Sequence, residues 1–322
     1  MSQAAKTLTH TSPFLPRFMA WVQERFPIAH GALFLVLFAA AAVTGSAATG
    51  PGPIALDLPR LGLGFLGAWS FFLMLRVFDE HKDFERDRQN HPHRVLQRGL
   101  ITLGHLKAVG AVAIGAQLLA SLVADGGVGA ATLSWGGVML WSALMAREFG
   151  VGPWLEKRLV LYAVSHMVVM PMAITWMALI GSQGEWVTTG LPWLALMAFC
   201  AGAAFEVTRK TRAPQEERET VDSYARSLGL RGASVAIITF LVIGAAGQLM
   251  LLQTLTPEPL GVGWIAAVIG LLVPPLVAVA RFVAAPSVRR RKRNEAAVSL
   301  AMLGGYAVVV APLLVERGVA WV

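Results

Sequence analysis

The chain has 322 residues, 56% of them hydrophobic and 14% charged, where about a quarter charged is usual for a soluble domain. Its 27 Lys and Arg against 19 Asp and Glu give a net +8, with the charges crowded into short stretches between long apolar runs. That pattern excludes a soluble Rossmann enzyme, a disordered chain and a collagen-like rod, and it points to a bilayer rather than nucleic acid. The single cysteine, Cys200, excludes a disulfide framework and any multi-Cys metal site.

A partly charged segment, 1–27, precedes the first apolar run. That run is too long for the apolar region of a cleaved signal peptide. A spanning helix needs roughly 20 mostly apolar residues. Nine stretches are read as spans: 28–49, 55–76, 103–123, 129–146, 158–181, 187–206, 233–253, 262–284 and 296–316. Abundant Ser, Gly and Ala within them suit close helix packing in lipid. No repeat or low-complexity linker divides the chain, so 1–322 reads as one all-α integral membrane domain.

Orientation follows from the basic residues in the flanks. With the N-terminus in the cytoplasm, 25 of the 27 fall on the inner side, Lys6 among them, and only Arg60 and Arg317 fall outside. The run Arg289 to Arg293 reads as a topogenic and headgroup anchor, with a role on substrate phosphate as the alternative. Outer loops near 124–128, 181–186 and 254–261 are short. The large loops, 77–102 and 207–232, are cytoplasmic, and chemistry is expected there. The expected location is a bacterial inner (plasma) membrane.

After the second span comes RVFDEHKDFERDRQNHPHRVLQRGLIT, from Arg76 to Thr102. Asp79, Asp83 and Asp87 recur at i, i+4 and i+8, with Glu80 at i+3 and i+7 from the latter two, so a helix gathers four carboxylates on one face. Like charges so spaced repel unless cations offset them. Mg²⁺ takes oxygen ligands and is often held by one or two carboxylates plus substrate phosphates. The other reading is a solvated helix whose acids pair with Lys82, Arg86 and Arg88. Arg94 and Arg98, before Gly99, suit anchoring of phosphate oxygens.

At these residues the sequence resembles the UbiA superfamily of membrane-embedded prenyltransferases. Those proteins have nine transmembrane helices, an N-D-x-x-D-x-x-x-D motif after the second and an R-P-L-x-x-G stretch beyond it. Here the first stands as Asp79-Glu80-x-x-Asp83-x-x-x-Asp87 and the second as Arg94-Val95-Leu96-Gln97-Arg98-Gly99. Asp79 replaces Asn, Glu80 replaces Asp and Val95 replaces Pro. The first two changes keep oxygen ligands. A second Asp-rich motif is expected after the sixth helix and is degraded here. Counting back from Gly229, Ser223 falls at its hydroxyl position and Glu216 at its second acid. Glu206 takes the first acid only across an insertion of about six residues. Thr220 replaces the family's Gly, and Asp222 lies where a basic residue is common.

The resemblance implies a UbiA-type bundle and Mg²⁺-dependent transfer of a prenyl group from a polyprenyl diphosphate to an unidentified acceptor in the membrane. Asp79, Glu80, Asp83, Asp87 and Glu206 are the implied ligands of two Mg²⁺ ions, with Glu216 as a further implied metal ligand. Lys82, Arg94, Arg98, Arg209 and Lys210 are the implied diphosphate ligands. Glu206 also reads as an ion pair with Arg209 and Lys210, and Glu216, Glu217 and Glu219 as solvated loop acids. His166, beside Tyr162 and Ser165, is the one histidine well inside a span. It would act as a base or orient an acceptor hydroxyl, or else bond between helices. Arg147 and Glu148 read as a local charge pair. The D-G-x-x-A-R signature of CDP-alcohol phosphatidyl transfer is absent. Another diphosphate-linked transfer, of glycosyl-phosphate or phosphatidyl type, and a non-catalytic isoprenoid-lipid-binding protein stay as alternatives.

Overall fold

In lipid every backbone N–H and C=O must be paired within its own segment, so apolar runs become helices. The computed structural model describes residues 7–28, 31–218 and 223–322. Lys6, Glu219, Thr220 and Asp222 lie outside them. The helices are α1 (Phe14–Arg25), α2 (Gly31–Ala48), α3 (Leu58–Lys82), α4 (Phe84–Asn90), α5 (Leu103–Asp125), α6 (Ala130–Ala146) and α7 (Gly152–Glu156). They continue with α8 (Leu159–Met167), α9 (Val169–Gly181), α10 (Leu191–Lys210), α11 (Tyr224–Ser227), α12 (Gly229–Leu255), α13 (Val262–Ala284) and α14 (Val288–Arg317).

Among the described residues, eight helices are long and apolar enough to cross a membrane, α8 and α9 counting as one span. The apolar α6 has 17 residues. It therefore rises about 25 Å, short of a hydrocarbon core of about 30 Å. It lies where a fourth span is expected, between α5 and α9, and packs on both.

Local chemistry sets several helix ends. Asp57 caps α3 by accepting from the Arg60 N–H at 3.0 Å, and Thr102 and His105 form a reciprocal box at the start of α5. Three helices run past the limits that hydropathy sets. α3 continues to Lys82, so Asp79 and Glu80 stand on its last turn. α10 continues to Lys210, which carries Glu206 inside the helix. α14 begins at Val288, so Arg289 to Arg293 form its first turns, with Ser287 as cap.

Close approach is concentrated between α2 and α9. A Cβ on Gly45 would lie 1.7 Å from the Ala178 carbonyl oxygen, and one on Gly181 2.2 Å from that of Ala42. Only glycine lets these backbones meet. The same end of α2 is tied to α14 by Arg317, which donates to the carbonyls of Ala47 (2.6 Å), Gly50, Gly52 (2.9 Å) and Leu255 (3.5 Å). Beside it, β1 (Ile54–Leu56) pairs in parallel with β2 (Val319–Trp321), with Ile54 opposite Val319. First span and last helix are thus joined at the face away from the acidic loops.

Candidate functional site

The acidic ladder lies at the junction of α3 and α4. The chain bends at Asp83, yet Asp83 N–H still donates to the Asp79 carbonyl and Asp87 N–H to that of Asp83, both at 2.8 Å. Helical register therefore persists and sorts the four carboxylates into two pairs. Among the described residues Asp79 and Asp83 are each paired with an arginine three residues away, Arg76 at 3.4 Å and Arg86. Their side chains keep 55% and 32% exposure, and ion pairs this open hold weakly.

Glu80 and Asp87, seven residues apart, turn the other way. Glu80 is 1% exposed and accepts from Arg25 Nε, while Arg25 Nη2 lies 3.5 Å from Asp87 and Arg94 also grips Asp87. Arg25 ends α1, whose Trp21 is fully buried. Glu24 accepts the Val95 N–H at 3.2 Å, and Arg17 donates to the Leu100 carbonyl at 3.0 Å. Arg98 donates to the Leu8 carbonyl at 3.0 Å. The N-terminal segment therefore fastens the whole 94–100 stretch. Partial burial, with Arg94 next to it, holds His91 below its ordinary pKa.

A second focus forms around Tyr162 on α8. Lys82 Nζ donates to its hydroxyl at 2.5 Å and also pairs with Glu148, and the hydroxyl reaches Glu148 Oε1 at 3.3 Å. Lys210 Nζ stands 6.0 Å from the ring centroid, so Lys82 and Lys210, one from each acidic segment, both lie over the same ring. Lys210 also pairs with Glu206 at 2.6 Å, and Arg209 holds the other Glu206 oxygen at 2.7 Å. The Glu206–Arg209/Lys210 ion pair that the sequence allows is thus present, and Lys210 extends it to Tyr162. Glu148 and Phe149 adopt positive φ of 51° and 55° at this turn. Backbone strain of that kind persists only where surrounding contacts fix it.

His166 stacks on Tyr162, ring centroids 4.0 Å apart, with Phe149 edge-on at 5.8 Å. Its Nδ1 lies 2.8 Å from the Tyr162 carbonyl. A carbonyl can only accept, so the neutral ring carries its proton on Nδ1 and a lone pair on Nε2. Nε2 is buried and has no partner.

The loop after α10 sits apart from that focus. Glu216 pairs with Arg291 of the basic run at 2.8 Å, and Arg291 also holds Glu295 at 2.6 Å. Arg291 therefore faces inward, away from a headgroup role. Ser223 caps α11 and donates to Glu217 at 2.7 Å. Burial, with Glu206 nearby, pushes the Tyr224 phenol above its ordinary pKa.

Among the described residues no three His, Cys, Asp or Glu side chains converge to hold a metal ion. The donor chemistry nonetheless suits a hard cation completed by substrate oxygens, because Asp79 and Asp83 are adjacent in helical register and loosely held. Sequence reasoning singled out Glu80, Asp87 and Lys82 but missed that Arg25 pairs with the two acids and Glu148 with Lys82. Arg25 lies 55 positions from Glu80, beyond the reach of any local pattern. Glu148 stands next to Arg147 in the sequence, and the positive φ that turns it toward Lys82 leaves no mark in composition.

Residues 32–306 match the family model described as the UbiA prenyltransferase family. The fold is similar to the apo structure of a UbiA homolog from Aeropyrum pernix K1, at 15% identity and TM-score 0.63, covering 90% of this chain and 98% of that one. It is also similar to a structure described as digeranylgeranylglyceryl phosphate synthase in membranes, at 15% identity and TM-score 0.61, with 94% and 99% covered. A UbiA homolog from Archaeoglobus fulgidus bound to GPP and Mg²⁺ superposes at 12% identity and TM-score 0.53, with 92% and 99% covered. No curated protein matches the sequence.

Proposed function

The chain belongs to the UbiA prenyltransferase family, and on that premise we propose that it transfers a prenyl group from a polyprenyl diphosphate to an acceptor within the membrane, with Mg²⁺ as cofactor. The observation that carries this reading is the meeting of Lys82 and Lys210, from the two acidic segments, over the Tyr162 ring. Two ammonium groups there would bind the diphosphate, with Arg94 and Arg98 in the adjoining stretch and Arg209 beside Lys210. The A. fulgidus homolog with GPP and Mg²⁺ supports the same ligand class.

Asp79 and Asp83 are the acids we assign to Mg²⁺, since both keep partly exposed carboxylates, 55% and 32%, that pair only with arginines of their own helical turns among the described residues. When bound, the ion would neutralise the charge that develops on the departing diphosphate. The lysines would stabilise the same charge as the bond between C1 and oxygen breaks, leaving an allylic electrophile. The acceptor would bond to C1 and release a proton, for which His166 Nε2 has the free lone pair. Glu206 and Glu216 would then set the positions of Lys210 and of the basic run. The site would face the cytoplasm, by the distribution of Lys and Arg, in an inner (plasma) membrane.

A binding-only protein is the second reading, favoured by one observation: acids of both segments are paired within the chain. Mass spectrometry of membrane lipids with and without the gene separates the two. Transfer predicts one prenylated lipid lost and its unprenylated precursor accumulated. An unchanged lipid profile, with prenyl diphosphate still bound by the purified protein, sinks the transferase reading.

A further inference from the structure

The acidic ladder contains a cation already. The Arg25 guanidinium lies between Glu80 and Asp87, bonding the first through Nε and standing 3.5 Å from the second. Arg94 grips Asp87 from another side, so two carboxylates meet two guanidinium groups and the set is neutral. Side-chain exposures are 1% for Glu80, 15% for Asp87 and 16% for Arg25. Arg25 is also not free to swing away, because Trp21 and Phe26 on either side of it are buried and Glu24 is tied to the Val95 N–H. A divalent ion taking Glu80 Oε1 would break an ion pair whose carboxylate is 1% and whose guanidinium is 16% exposed, which is strongly unfavourable.

We propose that Arg25 is a positioning residue that stands permanently where the acid ladder would otherwise hold a second divalent ion. Glu80 and Asp87 serve it rather than a metal, and metal binding falls to the Asp79–Asp83 pair alone. The site would thus take a diphosphate with one divalent ion, the second being replaced by a fixed guanidinium from the N-terminal helix. Glutamate in place of aspartate at position 80 supplies the extra methylene with which the carboxylate reaches Arg25. The inference rests on the Mg²⁺ reading given above.

The test is Mn²⁺ binding to the full-length protein in lipid nanodiscs, followed by electron paramagnetic resonance with inorganic diphosphate present. Glu80→Gln is expected to leave the number of bound ions and their affinity within about twofold of wild type, whereas Asp83→Asn weakens binding by at least about tenfold. Arg25→Ala is expected to bind one further Mn²⁺ per chain, and Glu80→Gln in that background removes it. Weakening by Glu80→Gln as large as that by Asp83→Asn overturns the proposal, and this arm decides alone should Arg25→Ala fail to fold. Wild type that binds no Mn²⁺, or binds it regardless of Asp83→Asn, defeats the metal reading instead. The Arg25 assignment is then judged by whether Arg25→Ala creates a Mn²⁺ site that Glu80→Gln removes: its appearance upholds the assignment and its absence overturns it.

Discussion

Lys82 and Glu148 should have opposite effects on substrate binding, although they are partners in one ion pair. Lys82 Nζ touches both Glu148 and the Tyr162 hydroxyl, and its side chain is 25% exposed. A charged hydrogen bond contributes about 1.5–3 kcal/mol, and partial exposure places this one near the lower figure. Lys82→Met is therefore expected to weaken prenyl diphosphate binding about tenfold to thirtyfold, at 1.4 kcal/mol per factor of ten. The same change leaves Glu148, 13% exposed, without its cation, so stability should fall by about 3 kcal/mol, the low end for a broken buried pair. Glu148→Gln removes the competitor for the ammonium and should leave diphosphate affinity equal or higher. Binding of a non-hydrolysable geranylgeranyl diphosphate analogue, measured by calorimetry in nanodiscs beside thermal melting, separates the two effects. Wild-type affinity in Lys82→Met, or equal losses in both variants, would refute a role for Lys82 on the diphosphate.

Gly181→Ala, which sets a methyl group against the Ala42 backbone, should separate α2 from α9 and lower stability by about 1–3 kcal/mol; a melting temperature at the wild-type value would contradict it. Arg317→Met removes a guanidinium that donates to four carbonyls, and a loss of about 2–4 kcal/mol is expected, read by thermal melting with prenyl diphosphate binding unchanged. His166→Phe keeps the stack on Tyr162 but removes the Nε2 lone pair. Product formation should fall about 10²–10⁴-fold while diphosphate binding holds, and an unaltered turnover rate removes the proton-accepting role.

The bundle was legible because apolar length is dictated by the bilayer and by little else. What hydropathy misplaced were the charged ends of helices: α3 runs on to Lys82 and α14 starts at Val288, since a helix does not stop where lipid stops. The acids were legible as a register, i to i+4 and i to i+7, and the structure keeps that register through the bend at Asp83. Their partners were not. Arg25 reaches Glu80 from a helix that precedes the first span, and Lys82 meets Glu148 across the bundle. Such pairings depend on how helices dock, which no local spacing encodes. The second acidic segment was the least legible, because Lys210 points to Tyr162 whereas Glu216 points to Arg291, and the sequence places both in one stretch.

The most direct test of the account is release of inorganic diphosphate from geranylgeranyl diphosphate by purified protein, supplied with a membrane lipid extract as acceptor pool. Release that requires Mg²⁺, disappears on chelation, and is abolished in Asp83→Asn is the predicted result. No release with any acceptor pool, or release indifferent to Mg²⁺ and to Asp83→Asn, would contradict it.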